Sequence, residues 1–284
     1  MNETFSTEWN SDRKLAWLLD ELRLRFQQVA LEVRLPMLGP NLTKGGVVAK
    51  CGRQSYALPQ CHTLLVTAAT CRNGNSFCIQ RAFRANDVNS RFHLQEFDLL
   101  ECGLLHTSSE QAMTIIESML ADIRSAMGGK RLQPFSRIAW AQMNTSAQSF
   151  QIFDEESPGR EELQDFSHGV NLSEPIFLTN LPWTQSSWAT ATVSPSITTR
   201  FNLLVPEIGE IVEGGERLLD QKSLTILFDR IGILSQMGWY ADSLSAEVGP
   251  VTVFAIGIER LAMWLFGYDD IRESHTWTMH PGVF

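Results

Sequence analysis

The chain has no long apolar run. Nothing in its 284 residues approaches the roughly 20 consecutive apolar residues that a membrane-spanning helix needs. Its polar, acidic start from Met1 to Asp12 is unlike a secretory signal. Cysteine is sparse: Cys51, Cys61, Cys71, Cys78 and Cys102 are odd in number and form no C-x-x-C pair. Free thiols in a reducing cytoplasm fit this better than a disulfide framework. Cys61 beside His62 invites a nucleophile-and-base reading, but neighbours in a strand point to opposite faces. Glycine-rich phosphate loops are missing too. With neither G-x-G-x-x-G nor a Walker-type loop present, side chains must do much of the phosphate work for any bound nucleotide. Positive charge is also short. Lys and Arg number 23 against 32 Asp and Glu, a net charge of −9, which argues against a protein whose main business is holding a nucleic-acid backbone.

What is present suits one globular unit over 1–284 with a sizeable core, 44% of its residues being hydrophobic. Leu15, Leu18, Leu19, Leu22, Phe26, Val29 and Ala30 fall at helical spacing and predict a helix from Ser11 to about Leu35, stopped by Pro36. Gly39 to Gln54 reads as a loop, and strands follow at Ser76–Phe83 and His93–Glu101. Ser108 and Gln111 stand at capping-box spacing before the apolar face Met113, Ile116, Met119, Leu120 and Ile123, and Gly128 and Gly129 end that helix. Asp154 to Asn171 is a polar surface excursion. Strands return at Pro175–Thr179 and Phe201–Val205, then helices at about Leu218–Met237 and Gly257–Phe266. Strands come in clusters and do not alternate with helices, so the fold class is α+β, an antiparallel sheet flanked by helices.

Three segments concentrate the charge. Phe83 to Phe97 is strand, polar turn and returning strand, and it can bring Arg84, His93, Glu96 and the Phe97 ring around one small ligand. Leu204 to Arg217 is Gly-rich and crowded with carboxylates, and Glu210 in apolar company offers the hard oxygen that Mg²⁺ prefers. In Gly257 to Met263, Arg260 opens an otherwise apolar helix and calls for an anionic partner.

Together these segments resemble motifs 2 and 3 of class II aminoacyl-tRNA synthetases, with the acidic strand that precedes motif 3. FNLLVPEIGEI (Phe201–Ile211), EPIFLTNLP (Glu174–Pro182) and GIERLAMWLFGYDDIRE (Gly257–Glu273) are similar to the asparaginyl branch in order and spacing. Leu35-Pro36-Met37-Leu38 resembles the tail of the dimer-forming motif 1. The resemblance covers Leu15 to Glu273 and implies ATP bent over an antiparallel sheet, its α-phosphate attacked by a carboxylate. It also implies roles. Arg84 would hold the α-phosphate and the reacting carboxylate, Glu96 the adenine amino group, and Phe97 the adenine ring. His93 and Arg260 would face the outer phosphates, with Arg260 covering the other adenine face. Glu210, with Asn202, would hold Mg²⁺. Arg217, with Glu101 beside it, would meet the far end of the acid. A homodimer through the first helix and motif 1 is implied as well.

The departures carry as much weight. The family's anticodon-reading barrel has no counterpart before the first helix, so no anticodon-dependent tRNA binding is expected. Asn86 replaces a motif 2 glutamate, and Asn202 replaces the aspartate that shares the metal. Lys44 in Thr43-Lys44-Gly45-Gly46 replaces the glutamate that greets the α-ammonium. After Gln60, Thr63 and Val66 stand for a glutamine and a lysine, and Val251-Thr252-Val253 stand where the family has His and Gly. The expectation is a cytoplasmic ligase that adenylates a small acid related to Asp or Asn, using ATP and Mg²⁺, with Lys44 disfavouring a free α-ammonium. Ammonia or a small amine is the first acceptor, by analogy with archaeal asparagine synthetases that resemble asparaginyl-tRNA synthetase. A carrier thiol, a protein lysine or a tRNA acceptor end comes second, and a regulatory ATP- or amino-acid-binding protein third.

Overall fold

Asn10 starts the first helix: its side chain accepts the Arg13 N–H, and α1 (Ser11–Phe26) follows with Leu15, Leu18, Leu22 and Phe26 buried. The helix ends earlier than its apolar spacing predicts. The Val29 and Ala30 N–H groups turn back onto the Phe26 carbonyl, and Leu31 and Val33 then donate to the carbonyls of Asn75 and Phe77. A short edge strand, β1 (Leu31–Glu32), results. Pairing along the sheet takes up the backbone groups that two further helical turns would have used, so tertiary context overrides local pattern.

The computed structural model describes residues 4–39, 46–84, 90–143, 172–182, 190–194, 196–230, 234–244 and 248–277. The expected excursion at 154–171, Lys44 and Asn86 lie outside these residues. The strands are β2 (Val48–Cys51), β3 (Gln54–Ala57), β4 (Ser76–Phe83), β5 (Glu96–Leu105), β6 (Ser136–Ala139), β7 (Ile176–Thr179), β8 (Thr192–Ser194), β9 (Ile197–Thr198), β10 (Phe201–Val205), β11 (Gly209–Glu216) and β12 (Val251–Gly257). Eight strands form the main sheet in the order β1-β4-β5-β12-β11-β10-β7-β6. It is antiparallel except at its two edges, β1 on β4 and β6 on β7. The α+β architecture expected from clustered strands is what the chain adopts. The stretch read as a loop from Gly39 to Gln54 is corrected in part, because β2 and β3 form a hairpin there.

One face of the sheet is apolar and covered. Leu100, Cys102, Phe201, Val212, Phe254 and Ile256 pack there in one core with side chains of α1, of α3 (Ser109–Ala126) and of α7 (Ile258–Phe266). The Ser108–Gln111 capping box is present at the start of α3, and a short α4 (Trp140–Met143) follows β6. Gly214 is required by this packing, since a Cβ there would lie 2.5 Å from the Phe201 ring and 2.7 Å from Phe254 Cβ. On the opposite face lie α2 (Thr63–Asn73), α5 (Gln221–Arg230) and α6 (Leu234–Ser243). They bury Val66, Leu224, Phe228, Met237 and Tyr240 against Val251 and Val253. The single helix expected over Leu218–Met237 is therefore two. No helix among the described residues is long and apolar enough to cross a membrane.

Phe26 is fully buried between Phe77 and Phe254, with ring centroids 5.7 and 6.0 Å away. Phe26→Ala should cost about 3–5 kcal/mol in urea denaturation. Ile226→Ser, at a side chain 60% exposed, should change stability by no more than about 0.5 kcal/mol.

Candidate active site

Strand register sets the floor of the site. Cys78 pairs with Glu101, Glu101 with Ala255, Ala255 with Glu213, and Glu213 with Asn202. Side chains alternate along strands, so these five residues form one row across β4, β5, β12, β11 and β10, on the face opposite the aromatic core. Strict alternation would turn Glu210 away from Glu213. A bulge prevents that: Leu203 pairs with Val212 but Leu204 pairs with Glu210, leaving Ile211 as the extra residue. Ile211 and Val212 both enter the core, and Glu210 and Glu213 both face the site. Asn202 Nδ2 donates to a Glu210 carboxylate oxygen, and Arg200 Nη2 lies 2.6 Å from Glu213 Oε1.

The cations arrive from two directions. Arg84 follows β4 with the parity of Ala82, which pairs with Phe97. Its guanidinium stands 4.8 Å over the Phe97 ring and donates to the Gln60 carbonyl at 3.2 and 3.3 Å. Arg260, in the first turn of α7, donates from Nε to the Phe92 carbonyl at 3.2 Å and from Nη1 to the Glu210 carbonyl at 3.0 Å. It thereby ties the return of the β4–β5 hairpin to β11. His93 is buried, with Nδ1 2.6 Å from the Ser90 hydroxyl. Burial, and then the charge of Arg260, lower its pKa to about 4, so the ring is uncharged at neutral pH. It can meet a phosphate by a hydrogen bond from Nε2, and the positive charge is left to the arginines.

Glu101 has a different situation from the one the resemblance implies. It is fully buried; one oxygen accepts the His62 N–H, and the other accepts the Thr63 hydroxyl at 2.6 Å. The carboxylate thus caps the N-terminus of α2. Glu96 is also set apart. Alternation sends it to the face opposite Phe97, where Arg81 Nη1 lies 3.5 Å from its carboxylate. Cys61 is exposed while His62 beside it is buried, so the two do not act as a pair.

In the sequence His62 stands out only as the neighbour of Cys61, and Tyr240 does not stand out at all. His62 is 1% exposed, and neither ring nitrogen has a hydrogen-bond partner. Tyr240, on α6, is wholly buried with its hydroxyl unpartnered. Tyr240, between Trp239 and Ala241, gives no signal that could have found it. A cluster of metal-ligand type, Asp98, Glu259 and His275, has its donor atoms within 4.8 Å of one another. Glu259 there already accepts the Asp98 N–H at 2.9 and 3.1 Å and sits 3.0 Å from His275 Nε2. Burial and then Glu259 raise the Asp98 pKa.

An antiparallel sheet with Arg84 over Phe97 and Glu210 beside Asn202 on one face, and a helix that starts by tying Arg260 to the Glu210 carbonyl, has the make-up of a class II synthetase catalytic domain. The family model for class II tRNA synthetases (D, K and N) matches residues 23–280, and the chain belongs to that family. It is similar to the cytoplasmic asparagine–tRNA ligase of Saccharomyces cerevisiae, 26% identical over 94% of this chain and 53% of that protein. It is also similar to the Bos taurus enzyme of the same name, 24% identical over 85% of this chain and 48% of that one. The chain thus spans about half the length of these relatives. Among solved structures, asparaginyl-tRNA synthetase of Entamoeba histolytica in complex with asparaginyl-adenylate superposes with a TM-score of 0.80 at 21% identity, over 96% of this chain and 68% of that one. The Pyrococcus horikoshii synthetase with the same adenylate gives 0.78 at 20%, over 96% and 69%.

His93 makes a prediction about pH. Its folded-state pKa lies near 4, below the 6.5 of the free side chain, so the unfolded chain takes up the proton first. Stability therefore falls as pH drops from 6.5 towards 4, at no more than about 1.4 kcal/mol per unit and on the order of 3 kcal/mol in total. In urea melts from pH 7 to 4.5, His93→Gln should show a smaller acid-induced loss than the wild type.

Proposed function

We propose that this chain activates a small carboxylic acid with ATP. A carboxylate oxygen attacks the α-phosphorus, the bond to the bridging oxygen of the leaving group breaks, and an acyl-adenylate and pyrophosphate result. One observation carries the reading. Arg84 stands over Phe97 on the sheet face that carries the Glu210–Asn202 pair, and Arg260, far away in sequence, reaches the Glu210 carbonyl. Adenine then stacks on Phe97. Arg84 bridges the α-phosphate and the acid, where charge builds during transfer, and Arg260 and His93 meet the outer phosphates. Gln60, Thr63, Glu101 and Arg217 border the acid, Glu101 by fixing the helix that carries Thr63.

Mg²⁺ fits the donor set. The buried Asn202 Oδ1 has no partner and lies on the residue bonded to Glu210, so hard oxygens are at hand. Glu210 and Asn202 would hold the ion, which would offset the charge of the triphosphate. In the second half of the reaction a nucleophile adds to the acyl carbonyl, AMP leaves with the C–O electron pair, and the nucleophile gives up its proton. Sequence alone ranks ammonia first as that nucleophile. The relatives named above are tRNA ligases, and on that ground we put the acceptor end of a tRNA first and ammonia second. The free thiols of Cys61, Cys71, Cys78 and Cys102 suit the cytoplasm.

The test is ATP–pyrophosphate exchange over a panel of amino acids, dicarboxylates and half-amides, followed by mass spectrometry of the products. Exchange with no acid, alongside ATP binding, would favour a regulatory protein instead. Arg84→Ala and Arg260→Ala should each weaken ATP binding by about 1.5–3 kcal/mol, the range for charge-assisted hydrogen bonds. Wild-type affinity in both variants, by calorimetry, would remove the arginines from the phosphate site.

We also propose a two-fold dimer, though not through the α1 face. Leu15, Leu18, Leu22 and Phe26 are buried within the chain, so Leu22→Glu would test folding. Leu24, Val29, Leu31 and Leu38 are exposed and cluster around the end of α1 and the edge strand β1. Leu31→Glu combined with Leu38→Glu should sediment as a 32.0 kDa monomer with unchanged circular dichroism. A wild type that already sediments at that mass would rule the dimer out.

A further inference from the structure

Two carboxylates and an imidazole meet on the far side of the sheet from the nucleotide face. Asp98 follows Phe97 on β5, so alternation sends it, with Glu96, to the opposite face. Glu259 is the second residue of α7 and precedes Arg260. His275 directly follows the 3₁₀ turn Ile271–Ser274. One ligand atom from each of the three lies within 4.8 Å of the others. The Glu259 side chain is 1% exposed, Asp98 13% and His275 14%, so the group is shielded but keeps one edge towards solvent. Its members are held in place. The Asp98 N–H donates to both Glu259 oxygens, at 2.9 and 3.1 Å, and Arg81 Nε lies 3.1 Å from Asp98 Oδ1. His275 Nε2 lies 3.0 Å from Glu259 Oε1, and the N–H of the next residue, Thr276, donates to Asp12 at the start of α1 at 2.8 Å. Charge is less well served. Among the described residues, Asp98, Glu96 and Glu259 have as ion-pair partners one arginine, Arg81, shared by the first two, and one histidine. Negative charge out of water is costly unless a cation answers it.

We infer that Asp98, Glu259 and His275 form a binding site for a divalent transition-metal ion of the Zn²⁺ class. The inference does not depend on the adenylation reading, and the site is separate from the Glu210–Asn202 pair proposed for Mg²⁺. The donor set chooses the ion. Mg²⁺ and Ca²⁺ take oxygen ligands, whereas imidazole nitrogen suits Zn²⁺ and its neighbours in the first transition row. Two carboxylate oxygens and one imidazole nitrogen are three of the four ligands of a tetrahedral Zn²⁺, and the solvent edge leaves the fourth place to water. The Asp98 N–H and Arg81 are the outer hydrogen bonds that aim such carboxylates at a metal. The ion fastens three segments, the start of β5, the start of α7 and the chain after the 3₁₀ turn. Phe97 and Arg260 each adjoin one of its ligands, so it braces the nucleotide face from behind without touching it.

The experiment uses the whole chain, stripped of metal, kept reduced and held in a large excess of Mg²⁺. Zn²⁺ is titrated in against a chromophoric chelator, and Co²⁺ is added separately for its visible spectrum. One Zn²⁺ per chain should bind despite the Mg²⁺. The Co²⁺ complex should show the bands of a four-coordinate ion and no thiolate charge-transfer band, because no cysteine takes part. His275→Ala should weaken Zn²⁺ binding by at least about tenfold, the least that loss of a ligand costs when loss of an outer partner already costs that much. It should also remove the rise in melting temperature that Zn²⁺ gives the wild type. Asp98→Asn, which keeps the size of the side chain, decides the matter if His275→Ala does not fold. Glu210→Gln should bind Zn²⁺ as the wild type does. No bound Zn²⁺, a thiolate band with Co²⁺, or an affinity that survives both His275→Ala and Asp98→Asn would overturn the site. Loss of Zn²⁺ binding in Glu210→Gln would overturn it too, by placing the ion at the Mg²⁺ pair.

Discussion

A carboxylate buried at the centre of a sheet is costly unless its oxygens are hydrogen-bonded, and Glu101 meets that condition through the first turn of α2. The helix end supplies both a backbone N–H and a partial positive charge. In return the helix is pinned over β5. It lies so close that a Cβ on Gly103 would come within 2.1 Å of Thr70 Oγ1. Everything on the acid side follows from that contact. It sets where Thr63 and Thr67 stand, and with them the wall against which Tyr240 is packed. A carboxylate committed in this way is a poor ligand for substrate, so in the proposed reaction the acid must be met by other side chains.

The nucleotide side rests on a different principle. No glycine-rich loop presents backbone N–H groups to phosphate, so the charge must come from side chains held by carbonyl groups. Arg84 leans on Gln60, and Arg260 spans Phe92 and Glu210. At those contacts the partner is a neutral carbonyl, which orients the guanidinium without opposing its charge. Burial, and then the same field that would draw in a triphosphate, keep His93 unprotonated.

Much of this was legible in the sequence where local chemistry and fold agree. Asn10 and the Ser108–Gln111 box marked helix starts, and the apolar run Phe201–Val205 marked a central strand buried throughout. The cations and the Phe97 platform were legible through spacing against a known family. Long-range pairing was not. Nothing in Leu31–Leu35 announces that β4 will take its hydrogen bonds, and α2 is too rich in threonine to show a helical apolar stripe. The consequences of alternation were missed as well. Glu96 and Phe97 are neighbours in sequence and opposites in space, and the commitment of Glu101 depends on residues nearly forty positions away.

The bulge at Ile211 implies how this segment tolerates change. Its side chains can be exchanged one at a time, each at its own local cost, because the extra residue keeps two acidic side chains on one face and two apolar ones on the other. A change of length is different in kind. Removing Ile211 would restore strict alternation with both acidic side chains still on the site face, and it is the packed core that would lose a side chain. Descendants of this chain could therefore be one letter shorter in β11 and keep the acidic pair, at the cost of one buried apolar group.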